Sequence, residues 1–438
     1  MLRLFTEKIP FHPHFKRAIG LFPLVLFGLG NTIEASIFVL LGEGASVAGA
    51  LLPLSFILGG VLAFMAAFIY ARVALINPVS GADISFIFDI FNQKFLSFSI
   101  SWLIILGDLA FIALNALGLG IYLSEFIPSS AIIIAIISIF IVTAVNLFGI
   151  KKISTLESTL ISVLLILLAI FTIQAILPAS LDTWFDNYSL NNPPIWLVFS
   201  GAVLIFSTFI GYEDIISVSG EVINPKKTIP KALLLTVVIT TILYTGLAFL
   251  LVSNLSLSDI TRVKVPLILL AQKTHFPVFL IYVSLIIAVV TTLISNILVA
   301  SRKFYALINK TRLAPTFLKL NKQGTPNHLI ILVSMISMIL IISGSIRFVA
   351  LITSSVYLIG LISTAVGVLL FEKRKLHLGE SYNIPFYPFT VYLVILVGII
   401  LILAADFRSL LSIIVWFFLG AIVFFILEKI KKKEEKII

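Results

Sequence analysis

Residues 28–38, GLGNTIEASIF, place glycines, hydroxyl side chains, an asparagine and a glutamate inside an apolar run that starts near residue 18. A helix that crosses a bilayer needs roughly 20 mainly apolar residues, and an ionised side chain at its centre costs roughly 2.5–3.5 kcal/mol on insertion scales. Polar, glycine-containing stretches at mid-membrane are typical of discontinuous helices that form binding sites in secondary transporters. The stretch therefore predicts an interrupted first span.

A second polar stretch, STFIGYED at residues 207–214, interrupts the sixth apolar run in the same way. Paired interruptions in corresponding positions of two halves indicate a transporter built from inverted repeats, with its site between the broken helices. The alternative is that the glycines only allow close helix packing, as small residues often do in membranes. Packing alone does not account for Glu34, Glu213 and Asp214.

The composition extends this interpretation to the whole chain of 438 residues, which is 60% apolar and only 11% charged. Soluble proteins have about 45–50% apolar and about 25% charged residues, so this sequence predicts an all-α integral membrane protein. Twelve apolar runs predict twelve transmembrane helices. They lie at about 18–42, 48–76, 96–124, 129–148, 158–178, 195–220, 231–253, 276–300, 329–346, 348–371, 386–405 and 409–427.

The basic residues fix the expected orientation. With the N-terminus inside, alternate loops carry 25 and 5 of the 30 Lys and Arg residues, which is the bias that the positive-inside rule predicts. We therefore expect a cell-membrane protein with both termini cytoplasmic, a cytoplasmic segment at 1–17 and a basic tail at 429–438. Anionic lipid headgroups then account for the net charge of +10, and nucleic acid is not an expected partner.

The chain lacks the residues that several classes of function require. The chain has no cysteine, and its histidines lie outside the apolar runs, so neither a metal site nor a membrane-embedded catalytic site is expected. It has no phosphate-binding loop for ATP-driven transport and no repeated filter or charged ring of a channel, which remains a remote alternative. The sequence predicts a protein that is not an enzyme and has no cofactor.

The acids inside the apolar runs need a partner, a water-filled cavity or a proton. They are Glu34, Asp108, Glu213 and Asp214, and no Lys or Arg lies within a central apolar run to neutralise them. Asp108 has the alternative of a simple hydrogen bond to a neighbouring helix, and Asp214 that of solvation near the cytoplasmic end. At least one acid is therefore expected to be protonated for part of a cycle or to face a cation.

Three ordered motifs resemble those of the amino acid–polyamine–organocation transporter superfamily. They are the glycine-rich stretch 28–38, the loop EVINPKKTIPKA at 221–232, and SRKFYA at 301–306 followed by LAP at 313–315 and TP at 325–326. Weaker similarities are PVSG at 78–81 and NLFG at 146–149. The resemblance implies the LeuT-type fold of five-plus-five inverted repeats, here about 18–178 and 195–371, with two added helices at about 386–427 and one transporter domain over 18–428.

The resemblance also implies a central substrate site between the broken first and sixth helices, with an aromatic gate on the sixth. Carried over by position, the first helix contributes Thr32, Ile33, Glu34, Ala35, Ser36 and Ile37. The sixth contributes Phe209, Gly211, Tyr212 and Glu213. The expected function is secondary transport of amino acids or related amines by alternating access, with proton coupling or exchange.

Two departures from the family pattern bear on coupling. Residues 34–36 are Glu-Ala-Ser where the family has Gly-x-Gly, so an acid occupies the loop that usually receives a substrate carboxylate. The lysine that some members carry in helix 5 is absent, with Leu164 near its position. The coupling candidates are therefore Glu34, Asp108 and Glu213 for H⁺. For the less favoured Na⁺ they are Thr292 and Ser295 of helix 8.

Glu34 leaves three interpretations open. A neutral Glu34 that exchanges its proton during the cycle would couple transport to H⁺. An ionised Glu34 would bind an ammonium group and favour polyamines or other cationic amines as substrates. A structural acid bonded to a neighbouring hydroxyl is the third alternative.

Overall fold

The computed structural model describes residues 19–76, 82–147, 153–191, 193–263, 265–311, 313, 315–318, 326–374 and 382–434. These residues form helices and connecting turns, and the only pairing of strand type among them is an isolated bridge between Ile19 and Val222. The segment 1–17, the motif at 78–81, the end of the motif at 146–149 and the last four residues of the tail lie outside the described residues.

The α-helices in this part of the chain are numbered in order. They are α1 (Leu21–Thr32), α2 (Ala35–Ala48), α3 (Leu52–Ile76), α4 (Ala82–Phe91), α5 (Lys94–Leu123), α6 (Ala131–Leu147), α7 (Ile153–Ile176), α8 (Leu181–Asn191), α9 (Leu197–Ile205), α10 (Pro225–Asn254), α11 (Leu257–Arg262), α12 (Pro266–Lys273), α13 (Val278–Thr311), α14 (Asn327–Ile341), α15 (Ile346–Lys373), α16 (Phe389–Leu403) and α17 (Phe407–Glu434). Short 3₁₀ helices lie at Gly49–Leu51, Phe206–Phe209, Tyr212–Glu221 and Pro315–Leu318.

Eight helical segments among the described residues are long and apolar enough to cross a membrane. They are Ala35–Ile76, Lys94–Leu123, Thr159–Ile176, Leu197–Ile216, Pro225–Asn254, Val278–Thr311, Ile346–Lys373 and Phe407–Lys431. Helices α1, α6, α14 and α16 are apolar but shorter. The chain is thus a multi-pass membrane protein, because no soluble domain would expose so many apolar helices.

Helix α5 lies at the centre of the bundle and α17 at its edge. The apolar part of α5 is 83% buried inside the protein, whereas that of α17 is 17% buried. Two reciprocal hydrogen bonds attach the peripheral helix, because the indole N–H groups of Trp102 and Trp416 each donate to the other residue's carbonyl oxygen at 3.0 Å. The central position of α5 brings its polar side chains to the interior.

The eighth predicted span ends too early. The apolar run predicts its end near residue 300, before Lys303, but α13 continues to Thr311 and buries this lysine. No Lys or Arg lies within a central apolar run, but Lys303 just beyond the eighth run pairs with Asp108, so this acid faces a cation, which is one of the two expected alternatives. The physical reason is that a lysine can bury its long apolar stem when a carboxylate meets its ammonium group, so a charge does not by itself end a buried helix.

Candidate functional site

The first break separates α1 from α2 by two residues in extended conformation, Ile33 and Glu34. The backbone N–H of Ile33 donates to the carbonyl of Leu29 at 2.7 Å and closes the last turn of α1. The break lies within the polar stretch 28–38, so the predicted interruption of the first span is confirmed. It exposes free backbone groups at the facing ends of two helices.

Side chains from two other helices satisfy these backbone groups. The carboxamide oxygen of Asn115 in α5 accepts a hydrogen bond from the backbone N–H of Ala35 at 3.1 Å. The hydroxyl of Tyr244 in α10 donates to the carbonyl of Thr32 at 2.8 Å. Asn115 is itself fixed by a bond from its amide nitrogen to the carbonyl of Phe111 at 3.0 Å. The break is thus held in place by neighbouring helices that are distant in the sequence.

Glu34 lies in this break and is fully buried. One carboxylate oxygen, Oε1, accepts a short hydrogen bond from the hydroxyl of Ser36. The other oxygen, Oε2, has no hydrogen-bond partner among the described residues. Because an unpaired buried carboxylate oxygen is costly, it retains the capacity to bind a proton, an ammonium group or a hydroxyl.

The second break lies between α9 and the 3₁₀ helix Tyr212–Glu221. Ile210 is extended and Gly211 has φ of +117°, a conformation that favours glycine. The backbone N–H of Gly211 donates to Oε2 of Glu213 at 2.9 Å, and the N–H of Ser207 donates to the hydroxyl oxygen of Ser354 at 2.8 Å. The predicted interruption of the sixth span within residues 207–214 is therefore confirmed as well.

The two breaks touch each other. A Cβ atom at Gly211 would overlap the carbonyl oxygen of Asn31, which leaves no space for any side chain at this position. Helix α1 also packs against the 3₁₀ helix, since a Cβ at Gly28 would lie 2.7 Å from the Ile215 side chain. The predicted site residues of both spans are thus brought together at one place.

Those ten residues have the burial expected of an interior site. Thr32, Ile33, Glu34, Ala35, Ser36, Ile37, Phe209, Gly211 and Tyr212 are buried, and Glu213 is partly buried. Their roles towards a substrate stay predictions. Asn115, Tyr244 and Ser354, which hold the breaks, are not found by the sequence analysis, because their contacts join positions 80, 212 and 147 residues apart.

Aromatic rings surround the second break in two groups. In the first group, the ring of Phe209 lies 5.6 Å from that of Tyr244 and 6.3 Å from that of Phe56. In the second, the hydroxyl of Tyr357 donates to that of Tyr212 at 3.4 Å. Faces and edges of such rings can cover an apolar substrate or contact an ammonium group.

The other coupling candidates lie on α5 and α13. Lys303 Nζ is 2.8 Å from Asp108 Oδ1, so this acid forms an ion pair between two helices. The hydroxyl of Thr292 donates to the carbonyl of Gly30 at 3.4 Å, which brings oxygen atoms of α13 and α1 together, and Ser295 lies half-buried one turn further along α13. Among the described residues, no group of three or more His, Asp or Glu side chains is placed to hold a metal ion.

Comparisons with known proteins cover nearly the whole chain. The profile of the amino acid permease family matches residues 24–432. Two relatives from Bacillus subtilis are each 23% identical to this chain. They are the branched-chain amino acid permease BcaP, aligned over 435 residues, and a methylthioribose transporter, aligned over 440 residues. Each alignment covers 94% of this chain and 93% of the relative. A vacuolar cationic amino acid transporter 2 of Arabidopsis thaliana is 25% identical over 331 residues, which cover 70% of this chain and 52% of the relative.

Proposed function

The chain belongs to the amino acid permease family, and we propose that it is a secondary transporter that moves amino acids across the cell membrane by alternating access. The observation that carries this proposal is the contact between the two breaks, Ile33–Glu34 and Ile210–Gly211, in the interior of the bundle. Side chains such as Asn115 and Tyr244 already bond some of the free backbone groups at this point, and the dipoles of the half-helix ends add a preference for a carboxylate at an N-terminal end and an ammonium group at a C-terminal end. These dipoles support the binding of both charged groups of an amino acid there.

We propose that twelve helices cross the membrane, with helices 1–5 and 6–10 as inverted repeats and both termini in the cytoplasm. The charge bias and the eight long and four shorter apolar helices support this arrangement. The chain has no cysteine, so single cysteines report accessibility without a background. A cysteine at the exposed position Ser130 should react with an impermeant thiol reagent from outside intact cells, and one at the exposed Lys227 should not. The reverse pattern contradicts the orientation.

Transport itself is tested by reconstitution into proteoliposomes. We expect uptake of a radiolabelled amino acid, tested with leucine, arginine and a polyamine, that rises with an inwardly directed H⁺ gradient and not with a Na⁺ gradient. The Bacillus relative BcaP, reconstituted in parallel, serves as the positive control. Absence of uptake and of counterflow for every amine tested, while BcaP is active, overturns the proposed function.

Glu34 is the residue through which we propose H⁺ coupling in place of the missing helix-5 lysine. Its burial and the free hydrogen-bonding capacity of Oε2 support a carboxyl group that changes its protonation state as access alternates. The Glu34→Gln variant keeps the shape of the side chain, but its amide group cannot take up or release a proton as the carboxyl group does. Uptake driven by a H⁺ gradient should be lost while exchange of substrate across the membrane is retained.

Transport of cationic amines is the second candidate function. The Oε2 atom of Glu34 favours it, because an ionised Glu34 would pair with an ammonium group through this oxygen. In this case Glu34→Gln should lower the affinity for arginine or a polyamine and leave that for leucine unchanged. If neither affinity nor pH dependence changes, Glu34 has the structural role that its bond with Ser36 suggests.

A further inference from the structure

Helix α8, Leu181–Asn191, connects α7 to α9 without crossing the membrane. Its 11 residues rise about 16 Å, about half of the roughly 30 Å hydrocarbon core. The segments that flank it in the chain, Thr159–Ile176 and Leu197–Ile216, are both long and apolar enough to span. The connections to α7 and α9 are only 177–180 and 192–196, so the two spans keep α8 close to the membrane surface.

One edge of α8 is bonded to the rest of the protein. The indole N–H of Trp184 donates to the carbonyl of Ala50, between α2 and α3, at 3.0 Å. The Asn187 side chain, only 4% exposed, joins the end of α10 to the start of α11. Its amide nitrogen donates to the carbonyl of Leu255 at 2.9 Å, and its oxygen accepts from the N–H of Leu257 at 3.0 Å. These bonds fix the rotation of α8 about its own axis.

This rotation turns a second, apolar edge of α8 away from the bundle. Leu181, Phe185 and Tyr188 have the i, i+4, i+7 spacing of one helix face and are 61%, 57% and 38% exposed. Exposed apolar side chains precede them along the chain, since Ile173 near the end of α7 and Leu177 just after it are 66% and 85% exposed. The apolar edge of α8 therefore continues the lipid-facing surface of α7.

The third edge of α8 is polar and also exposed. Asp182, Asp186 and Ser189 each follow a member of the apolar edge by one residue, so they lie about 100° further around the helix axis. A helix with one apolar and one polar exposed edge is typical of a position in the plane of the membrane interface. The sequence of α8 contains two aspartates and no Lys or Arg, so it offers no attraction to anionic headgroups.

Aromatic side chains mark the same level of the protein. The rings of Trp184 and Tyr188 are stacked with centroids 5.9 Å apart, and Trp196, immediately before α9, is 63% exposed. Trp and Tyr are enriched where the headgroups of a bilayer meet its hydrocarbon, because their rings are apolar and their N–H or O–H groups are polar. These side chains support a position of α8 at the headgroup level.

We propose that α8 is an interfacial membrane helix whose partner is the boundary between headgroups and acyl chains of electrically neutral lipids. Trp184 and Asn187 anchor the adjoining ends of α2 and α10 to it at that depth. Since α2 begins in the first break, at Ala35, the lipid boundary is connected to this half-helix through one short helix. The inference concerns the membrane contact of α8 and does not depend on which substrate is transported.

The position of α8 is tested with single cysteines, which have no background because the chain contains none. Each variant carries an environment-sensitive fluorophore in phosphatidylcholine proteoliposomes. A label at Leu181→Cys should be quenched by a nitroxide attached to lipid near the headgroup and shielded from aqueous iodide. A label at the neighbouring Asp182→Cys should show the opposite pattern. The pair Phe185→Cys and Asp186→Cys repeats the comparison one turn further along.

Three results would overturn this position. Equal quenching of both members of a pair by iodide would place α8 in water, and equal quenching of both by the lipid nitroxide would place it within the hydrocarbon. Protection of Leu181→Cys from both quenchers would mean that protein, such as a second copy of the chain, covers the apolar edge. Replacing part of the phosphatidylcholine by phosphatidylglycerol should not increase the nitroxide quenching. An increase would contradict the choice of neutral lipid.

Charge insertion tests the energetic contribution of the apolar edge. Phe185→Asp should lower the thermal unfolding midpoint in phosphatidylcholine nanodiscs by a few degrees, because it places a carboxylate in the lipid boundary. Ser189→Asp adds the same group to the polar edge and should leave the midpoint unchanged. Phe185→Leu, which loses the ring but stays apolar, should remain close to the wild type. Equal midpoints for Phe185→Asp and Ser189→Asp would contradict the inference.

A double-mutant cycle tests the anchor. Asn187→Ala frees α8 from α10 and α11, so the loss caused by Phe185→Asp should be smaller in this background. Additive losses would show that the lipid boundary and the end of α10 are not connected through α8. Because none of these measurements needs transport, a wild-type protein that is inactive but shows the expected quenching contradicts the proposed function alone. An active protein without this quenching contradicts the inference alone.

Discussion

The two breaks lie against each other but are maintained by different means. At the first, Asn115 and Tyr244 reach in from α5 and α10 to bond the free N–H of Ala35 and the free carbonyl of Thr32. At the second, the decisive elements are local, since Gly211 adopts a positive φ and its own N–H is bonded by Glu213 two residues later.

This difference indicates which break the local sequence specifies and which one the fold imposes. The residues of the first break could continue a helix, because none of Thr32, Ile33 and Glu34 requires an extended backbone. The neighbouring helices make the break favourable by satisfying its polar groups, each of which would cost roughly 1–3 kcal/mol if buried without a partner. The second break needs a residue without a Cβ and so depends on one position.

The largest effect is expected from Gly211→Ala. Its Cβ would overlap the Asn31 carbonyl, and a positive φ is unfavourable for alanine, so the contact between the two breaks would be lost. Uptake should fall to background, and the thermal unfolding midpoint should fall as well. Gly246→Ala is the matched control, because a Cβ there meets no atom within 4 Å, and it should behave like the wild type. Full activity of Gly211→Ala would contradict this account of the second break.

Asn115→Leu should have the next largest effect. It removes the acceptor for the Ala35 N–H and leaves that group buried without a partner, at a cost of roughly 1–3 kcal/mol. Because the start of α2 carries the predicted substrate residues, the apparent KM for uptake should rise together with the loss of thermal stability. A lower stability with an unchanged KM would mean that the Asn115 bond supports the fold and not the site.

Ser354→Ala tests a distant side chain that bonds the backbone beside the second break. It removes the acceptor for the Ser207 N–H, but the local bond between Gly211 and Glu213 remains. We expect a loss of stability of roughly 1 kcal/mol, smaller than that of Asn115→Leu measured in parallel. The comparison between the breaks fails if Ser354→Ala costs more than Asn115→Leu.

Tyr244→Phe should have the smallest effect. It removes only the bond from the hydroxyl to the Thr32 carbonyl and keeps the ring against Phe209 and Phe56. A loss of roughly 0.5 kcal/mol in unfolding free energy is expected, at the low end for a hydrogen bond, because a carbonyl at a helix end retains other ways to find a donor. Tyr244→Leu removes the ring as well, so a similar effect of both variants would show that the hydroxyl is the important part.

The sequence predicts the membrane class and both breaks, since each depends on composition or on a local polar stretch such as 28–38 or 207–214. It does not predict the residues that stabilise the first break, because Asn115 and Tyr244 lie in apolar helices far along the chain and become relevant only when those helices pack. The same holds for Asp108, whose partner Lys303 follows the apolar run of its own helix. Hydropathy marks where a run ends, whereas burial of a lysine depends on the carboxylate that meets it.

The length of the ten-residue segment Tyr212–Glu221 depends on its being a 3₁₀ helix. A 3₁₀ helix rises about 2.0 Å per residue and an α-helix about 1.5 Å, so these residues span about 5 Å more than they would as an α-helix. The backbone N–H of Ile223 just beyond it donates to the carbonyl of Ile19, immediately before α1, at 2.9 Å. As an α-helix this segment would be shorter by about one helical turn, and the bond to Ile19 would carry that difference to the start of the first span. The 3₁₀ geometry of one broken helix and the position of the other are therefore linked through a single backbone hydrogen bond.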